Sequence, residues 1–305
     1  MLAFRRWTNP LLAGVLLLGC RRAPPPREFD GRAAFEYIRQ QVAFGPRIPG
    51  TEPHRRMGEW LDSLLRHRGD TLVVQAWTHR TARGDTLPLR NFILRFNPAA
   101  QDRILFLAHW DTRPVSDSPK STNPKAPVPG ADDGASGVAV LLGVADVLHR
   151  KPPAIGVDLL FVDGEDYGDF NKEPTDVLIG SRYYAHNQVA GPTPDYAVLF
   201  DMVAGKGLQI YQEGNSVTGA GDIVEMVWGV ARDLGYGGTF IDSPKHTLTD
   251  DHVELQKVGI RAIDVVDFDY PFWHTPDDTV DKVGAESLQI VGDVAMALVR
   301  RGKLH

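Results

Sequence analysis

Leu159-Leu160-Phe161-Val162 runs straight into Asp163-Gly164-Glu165-Asp166, four consecutive apolar residues that stop at a glycine set among acids. Bounded upstream by Pro152-Pro153 and downstream by Gly164, the run reads as a buried strand of a parallel sheet. The acids then stand at the C-terminal end of a strand, the edge where open α/β sheets collect ligands and chemistry. Alone, Glu165-Asp166 is better read as a helix N-cap with a solvated neighbour. It is not alone. His109 follows Ile104 to Ala108, Asp201 follows Tyr196 to Phe200, and two polar clusters, Gly130-Ala131-Asp132 and Trp273-His274-Thr275, fall in loops. Imidazole nitrogen and carboxylate oxygen form a set suited to zinc in an open, catalytic site. With one cysteine in the chain, a closed sulfur-rich site is excluded.

The elements that must position these groups are legible from periodicity. Apolar residues at helical spacing mark helices over 32–42 (Phe35, Ile38, Val42), 57–65, 138–148, 180–187, 223–234 and 285–299. Strands are predicted over 71–77, 90–96, 104–108, 159–162, 196–200 and 260–266, with a short one over 207–212. Phe44 to Gly50 is too rich in turn residues to be regular, and the small residues Gly130 to Gly137 let the helix after them approach its neighbours closely. The long proline-bearing loop before them, with prolines at 114, 119, 124, 127 and 129, is of a kind more often functional than not. Strands alternating with helices predict an α/β fold of three layers, a mixed, mostly parallel central sheet flanked by helices.

Arg5-Arg6, an apolar stretch from Leu11 to Leu18 and Gly19-Cys20 read as a secretory signal, too short to span a bilayer. Residues 1–20 are therefore expected to be a signal, 21–28 a proline-rich tether, and 29–305 one catalytic domain. A net charge of −6, a pI near 5.9 and scattered Lys and Arg exclude the basic field that a nucleic-acid partner requires. Nucleophilic and phosphate-binding motifs are missing: Gly134-Ala135-Ser136-Gly137 lacks the spacing of a nucleophile elbow, and no phosphate loop occurs.

His109-Trp110-Asp111, Gly130 to Gly137, Asp163 to Asp166, Asp201, Asp250-Asp251-His252 and Trp273 to Thr279 resemble, in order, the blocks of zinc-dependent exopeptidases of the aminopeptidase type. Within them the chain looks most like the animal-type glutaminyl cyclases found also in bacteria, because of the double acid before His252 and the tryptophan before His274. Leu17-Leu18-Gly19-Cys20 likewise resembles the bacterial lipobox. This implies a periplasmic or outer-membrane lipoprotein anchored at Cys20, touching membrane only through its lipid; the chain is separately expected to be a monomer.

Position by position, the resemblance implies Asp132, Asp166 and His274 as ligands of one zinc, Glu165 as general acid/base, Asp201 and Asp250 as carboxylates beside it, and Trp273 as a pocket wall. In the related aminopeptidases the positions of His109 and Asp201 hold a second zinc with Asp132 bridging, so one or two ions fit the sequence. Two departures stand out. Asp166 replaces a glutamate, and the loop Tyr167 to Val177 lacks the tryptophan those cyclases place beside the pocket, which Phe170 is not counted on to replace.

The implied reaction closes an N-terminal glutamine of a peptide to pyroglutamate with loss of ammonia. Glu165, crowded by Asp166, Asp201 and Asp250, should have the raised pKa of a proton carrier. The alternatives are a two-metal aminopeptidase, which needs an activated hydroxide, and a binding domain that has lost catalysis, against which the retained ligands and acid/base residue argue.

Overall fold

The computed structural model describes residues 27–172 and 174–302. The signal and Cys20 anchor expected over 1–20, and most of the tether, lie outside the described residues. Glu28, expected as the tether's last residue, is instead held to the domain by Arg300 and Lys151 at 2.7 Å each. Among the described residues no helix is long and apolar enough to cross a membrane.

The chain runs α1 (Gly31–Ala43), α2 (Glu52–Leu65), β1 (Thr71–Arg80), β2 (Thr86–Phe96), β3 (Arg103–His109), α3 (Ala135–Arg150), β4 (Gly156–Val162), α4 (Ile179–His186), β5 (Tyr196–Asp201), β6 (Ile210–Gln212), α5 (Gly214–Asp233), β7 (Phe240–Pro244), α6 (Asp251–Gln256), β8 (Ala262–Val266), a 3-10 turn (Val280–Lys282) and α7 (Ala285–Arg301). Six strands form one sheet in the order β1-β2-β4-β3-β5-β8. β3, β4, β5 and β8 are mutually parallel, and β2 joins β4, and β1 joins β2, antiparallel.

Period-two alternation splits the strands' apolar residues between two cores. Phe106, Phe161, Phe200 and Val265 face the large one, shared with α1, α3 and α7, while Leu107, Leu160, Leu199 and Ala262 face a smaller one with Tyr184 of α4 and Leu255 of α6. This is the predicted three-layer arrangement. Because both faces are covered, the central strands are apolar throughout, which is why their sequences show runs instead of alternation.

β3 has β4 on one side and β5 on the other. The crossover from β3 to β4 runs one way through α3 on one face, and that from β4 to β5 runs back past β3 through α4 on the other face, which opens a crevice at the C-terminal end of β3. Register brings His109 opposite Val162 and Asp201 opposite Val266, so the polar residues ending these strands meet at one edge. α3 starts close beneath them. A Cβ at Gly137 would overlap the carbonyl oxygen of Phe200, the close approach that the small residues before this helix predict.

Three elements differ from expectation. α5 begins at Gly214, nine residues before the predicted 223, capped by Glu213 and kinked at Ala220; Gly214, Gly219 and Gly221 blur its periodicity. α6 is six residues long, too short for a periodic signal, and is capped by Asp250, whose side chain accepts from the Asp251 amide at 2.6 Å. β7, largely exposed and ending in Pro244, pairs among the described residues only with the short β6.

Candidate active site

Asp133 is the hinge of the site. Its Oδ1 lies 3.3 Å from Nε2 of His109 and its Oδ2 lies 3.7 Å from Nε2 of His274. Asp201 completes the first group, its Oδ1 3.2 Å from His109 Nε2, and Asp166 completes the second, its Oδ2 3.5 Å from His274 Nε2. Among the described residues, these two triads, His109-Asp133-Asp201 and Asp133-Asp166-His274, are the ones whose ligand atoms converge closely enough to hold a metal ion.

This corrects the expected ligand Asp132. Its Oδ1 accepts the Ala204 amide at 2.8 Å, away from both histidines, while its neighbour takes the position facing them. Asp278 decides between the two acids: its carboxylate accepts the amides of both Asp132 and Asp133, at 2.9 and 3.1 Å, and fixes the turn between Gly130 (φ 69°) and Gly134 (φ 93°). Consecutive side chains in such a turn point different ways, and spacing alone cannot say which points inward.

The other expected residues are brought together. Glu165 and Asp166 sit on a turn gripped by Asp111, whose two oxygens accept their amides at 3.1 and 3.2 Å. Asp163, the first acid of the motif, turns away to His54 (2.8 Å) and the Arg90 amide (2.7 Å). Asp201, Asp250, Glu165, Asp166, Asp133 and His274 line one cavity of about 410 Å³, walled by Trp273, Phe268, Leu248 and Phe170. Trp273 stacks on the His274 ring at 4.0 Å and leans on Phe268 at 5.0 Å. Phe170 does line the cavity, in the loop that lacks a tryptophan.

Backbone strain gathers here. His274 (φ 52°), Met202 (φ 48°, next to Asp201) and Leu178 (φ 52°, its amide bonded to the Glu165 carbonyl) are left-handed without being glycine. Such positions persist where surrounding contacts over-determine them, and active sites are where they cluster.

Electrostatics follow from burial. Glu165 is held well above the usual carboxylate range by desolvation and then by the Asp166 charge. Asp250 is raised by burial and by Asp201 and Asp251. Burial opposes the charge on His274, but Asp166 and Asp117 outweigh it and lift the imidazole to about 9.

Two residues of the proline-rich loop were not expected. Arg113 donates to Asp166 Oδ1 at 2.5 Å, and Asp117 Oδ1 lies 2.9 Å from Nδ1 of His274. Their spacing in an irregular segment carries no periodic signal. Only the functional tendency of long loops pointed there.

The donor set fits a metal ion: Oδ2 of Asp133 and Oδ2 of Asp166 are buried and without hydrogen-bond partners, a costly arrangement for carboxylate oxygens unless a cation meets them. An α/β sheet with two such triads and a buried acid at its carboxyl edge defines a metal-dependent exopeptidase-like protein. Residues 91–299 match the model of peptidase family M28, and the chain belongs to that family.

Among solved structures, the chain is similar to Bacteroides thetaiotaomicron glutaminyl cyclase bound to N-acetylhistamine (35% identity, TM-score 0.86, covering 91% of this chain and 99% of that one). It is also similar to Porphyromonas gingivalis glutaminyl cyclase (38%, 0.84, 89% and 98%). A leucine aminopeptidase precursor from B. thetaiotaomicron is a comparable match (36%, 0.87, 91% and 99%). The chain spans about half or less of the length of the curated relatives it matches, such as aminopeptidase YwaD of Bacillus subtilis, 25% identical over 250 residues that make up 78% of this chain and 48% of that protein.

Proposed function

We propose that the chain is a zinc-dependent glutaminyl-peptide cyclotransferase with one zinc, held by Asp133, Asp166 and His274. The observation that carries the single ion is an asymmetry between the two triads. Nδ1 of His274 is engaged by Asp117, which leaves Nε2 turned to Asp133 and Asp166. Nε2 of His109, by contrast, is within hydrogen-bond distance of Asp201, and its buried Nδ1 has no hydrogen-bond partner, the Asp111 carboxylate standing 3.6 Å away. Ligating histidines are oriented by an acceptor on their other nitrogen, and the His274 triad has one.

Bound there, zinc supplies Lewis acidity toward the side-chain carbonyl of an N-terminal glutamine. Glu165 does the proton work. Its raised pKa suits it to take a proton from the α-amine as the new C–N bond forms at that carbonyl carbon, and to return it to the amide nitrogen as the old C–N bond breaks and ammonia leaves. Asp201 and Asp250 line the same cavity and offer acceptors for the amine, while Trp273 packs the apolar part of the side chain. The step is intramolecular, so a cavity that holds the chain folded serves it by proximity.

A second reading is favoured by one observation: both oxygens of Asp133 face histidines, as a bridging ligand of a two-metal aminopeptidase would. Incubation with a glutaminyl dipeptide and with leucine p-nitroanilide separates the two. Ammonia release from the first without p-nitroaniline from the second supports the cyclase, and the reverse supports the aminopeptidase.

Residues 1–20 we read as a lipoprotein-type signal, with the protein exported and anchored at Cys20; the support is the sequence pattern Leu17-Leu18-Gly19-Cys20. Mass spectrometry of the mature N-terminus tests it, and an unmodified start beyond Cys20 excludes it.

A further inference from the structure

One guanidinium reaches behind two of the three ligands of the His274 triad. Arg113 is nearly buried (4% exposed) although its loop is irregular. Its Nη1 donates to Asp166 Oδ1 at 2.5 Å and to the Gly168 carbonyl at 3.0 Å. Its Nε and Nη2 fork onto the two oxygens of Asp117 at 2.8 and 2.6 Å, and Asp117 Oδ1 is the atom that meets His274 Nδ1. Arg113 and Asp117 thus form a two-pronged ion pair, with the guanidinium end buried.

Two consequences follow from this geometry. Asp166 Oδ1 is committed to the guanidinium, which leaves Oδ2, buried and unpartnered, as the oxygen that faces His274. The imidazole, in turn, must place its Nδ1 proton toward Asp117, which frees the Nε2 lone pair. We propose that Arg113 is a positioning residue of the metal centre, limiting Asp166 to one ligating oxygen and, through Asp117, locking the His274 tautomer. The proposal rests on reading Asp133, Asp166 and His274 as the ligands. A lysine cannot replace Arg113, because an ammonium lacks the planar fork that serves Asp117 and Asp166 at once.

The test compares wild type, Arg113→Lys, Arg113→Gln, Asp117→Ala and His274→Ala by chelator-competition affinity for zinc and by the visible spectrum of the cobalt-substituted proteins. Both Arg113 variants should bind zinc about 10- to 100-fold more weakly, the usual worth of a residue that orients a ligand. Their cobalt bands should weaken, as they do when a carboxylate adds a second oxygen and the coordination number rises. Asp117→Ala should lose affinity in the same range with its band intensity kept. Wild-type affinity and an unchanged cobalt spectrum in the Arg113 variants, with metal lost in His274→Ala, overturn the proposal and leave the ligand reading standing. If wild type and His274→Ala bind metal alike, the ligand reading has failed and the proposal falls with it. Should circular dichroism show the Arg113 variants unfolded, Asp117→Ala decides, since Asp117 is 41% exposed and its removal opens no core; unchanged affinity there overturns the proposal.

Discussion

Asp132 and Asp133 are consecutive, both buried, and serve opposite sides of one turn: Asp132 accepts the Ala204 amide at 2.8 Å, while Asp133 lies between Nε2 of His109 at 3.3 Å and Nε2 of His274 at 3.7 Å. Asp133→Asn should therefore lose zinc and activity together, because it weakens a ligand common to both triads. Asp132→Asn keeps an oxygen for the Ala204 amide and should retain zinc near one per protein. Atomic absorption on both variants decides, and metal loss confined to Asp132→Asn would restore the sequence-based assignment.

Glu165→Gln keeps size and hydrogen bonding but removes the titrating group. Pyroglutamyl formation should fall by roughly 10²–10⁴ with zinc content unchanged, the usual worth of a positioned acid/base. Near-full activity in this variant would remove Glu165 from the proton path.

Asp251 is raised to about 7, by burial first, with the Ser181 hydroxyl opposing the shift. Its unfolded value is that of an ordinary aspartate, near 3.8. The folded state thus binds the proton more tightly, and this contribution is complete below about pH 4 and lost as pH rises through about 7. In the metal-free protein, Asp251→Asn should gain thermal stability relative to wild type progressively from pH 4 to 7. A difference in Tm that stays flat across that range would show the carboxyl is not buried uncharged.

Gly137→Ala should destabilise the fold by about 1–3 kcal/mol, since the added methyl meets the backbone of Phe200, which cannot step aside like a side chain. Urea unfolding measures it. The same change at exposed Gly238, which has nothing within 4 Å of an added Cβ, should move stability by no more than about 0.5 kcal/mol and serves as control.

How much of this was legible in the sequence depends on how local the signal is. The buried strands β3, β4 and β5 were readable because strands covered on both faces are written as apolar runs, and chemistry placed just after such runs marks the carboxyl edge of the sheet. His109, Glu165, Asp166 and Asp201 were named for that reason, and His274, named from a loop cluster, meets them in the structure. α6 and β7 were not readable, being too short or too exposed to carry a period.

The sequence by itself determined the layer architecture, the chemical class of the donors and the exclusion of thiolate and phosphate-loop chemistry, all of which depend on residue type and period. Tertiary structure alone decided which of two adjacent aspartates faces the histidines, because that rests on Asp278, 145 residues away from Asp133 along the chain. It alone placed Arg113 and Asp117 behind Asp166 and His274, since a loop without regular hydrogen bonding has no pattern to read. What a side chain is made of is written locally; where it points is set by contacts from far along the chain, and at this site those contacts select the ligands.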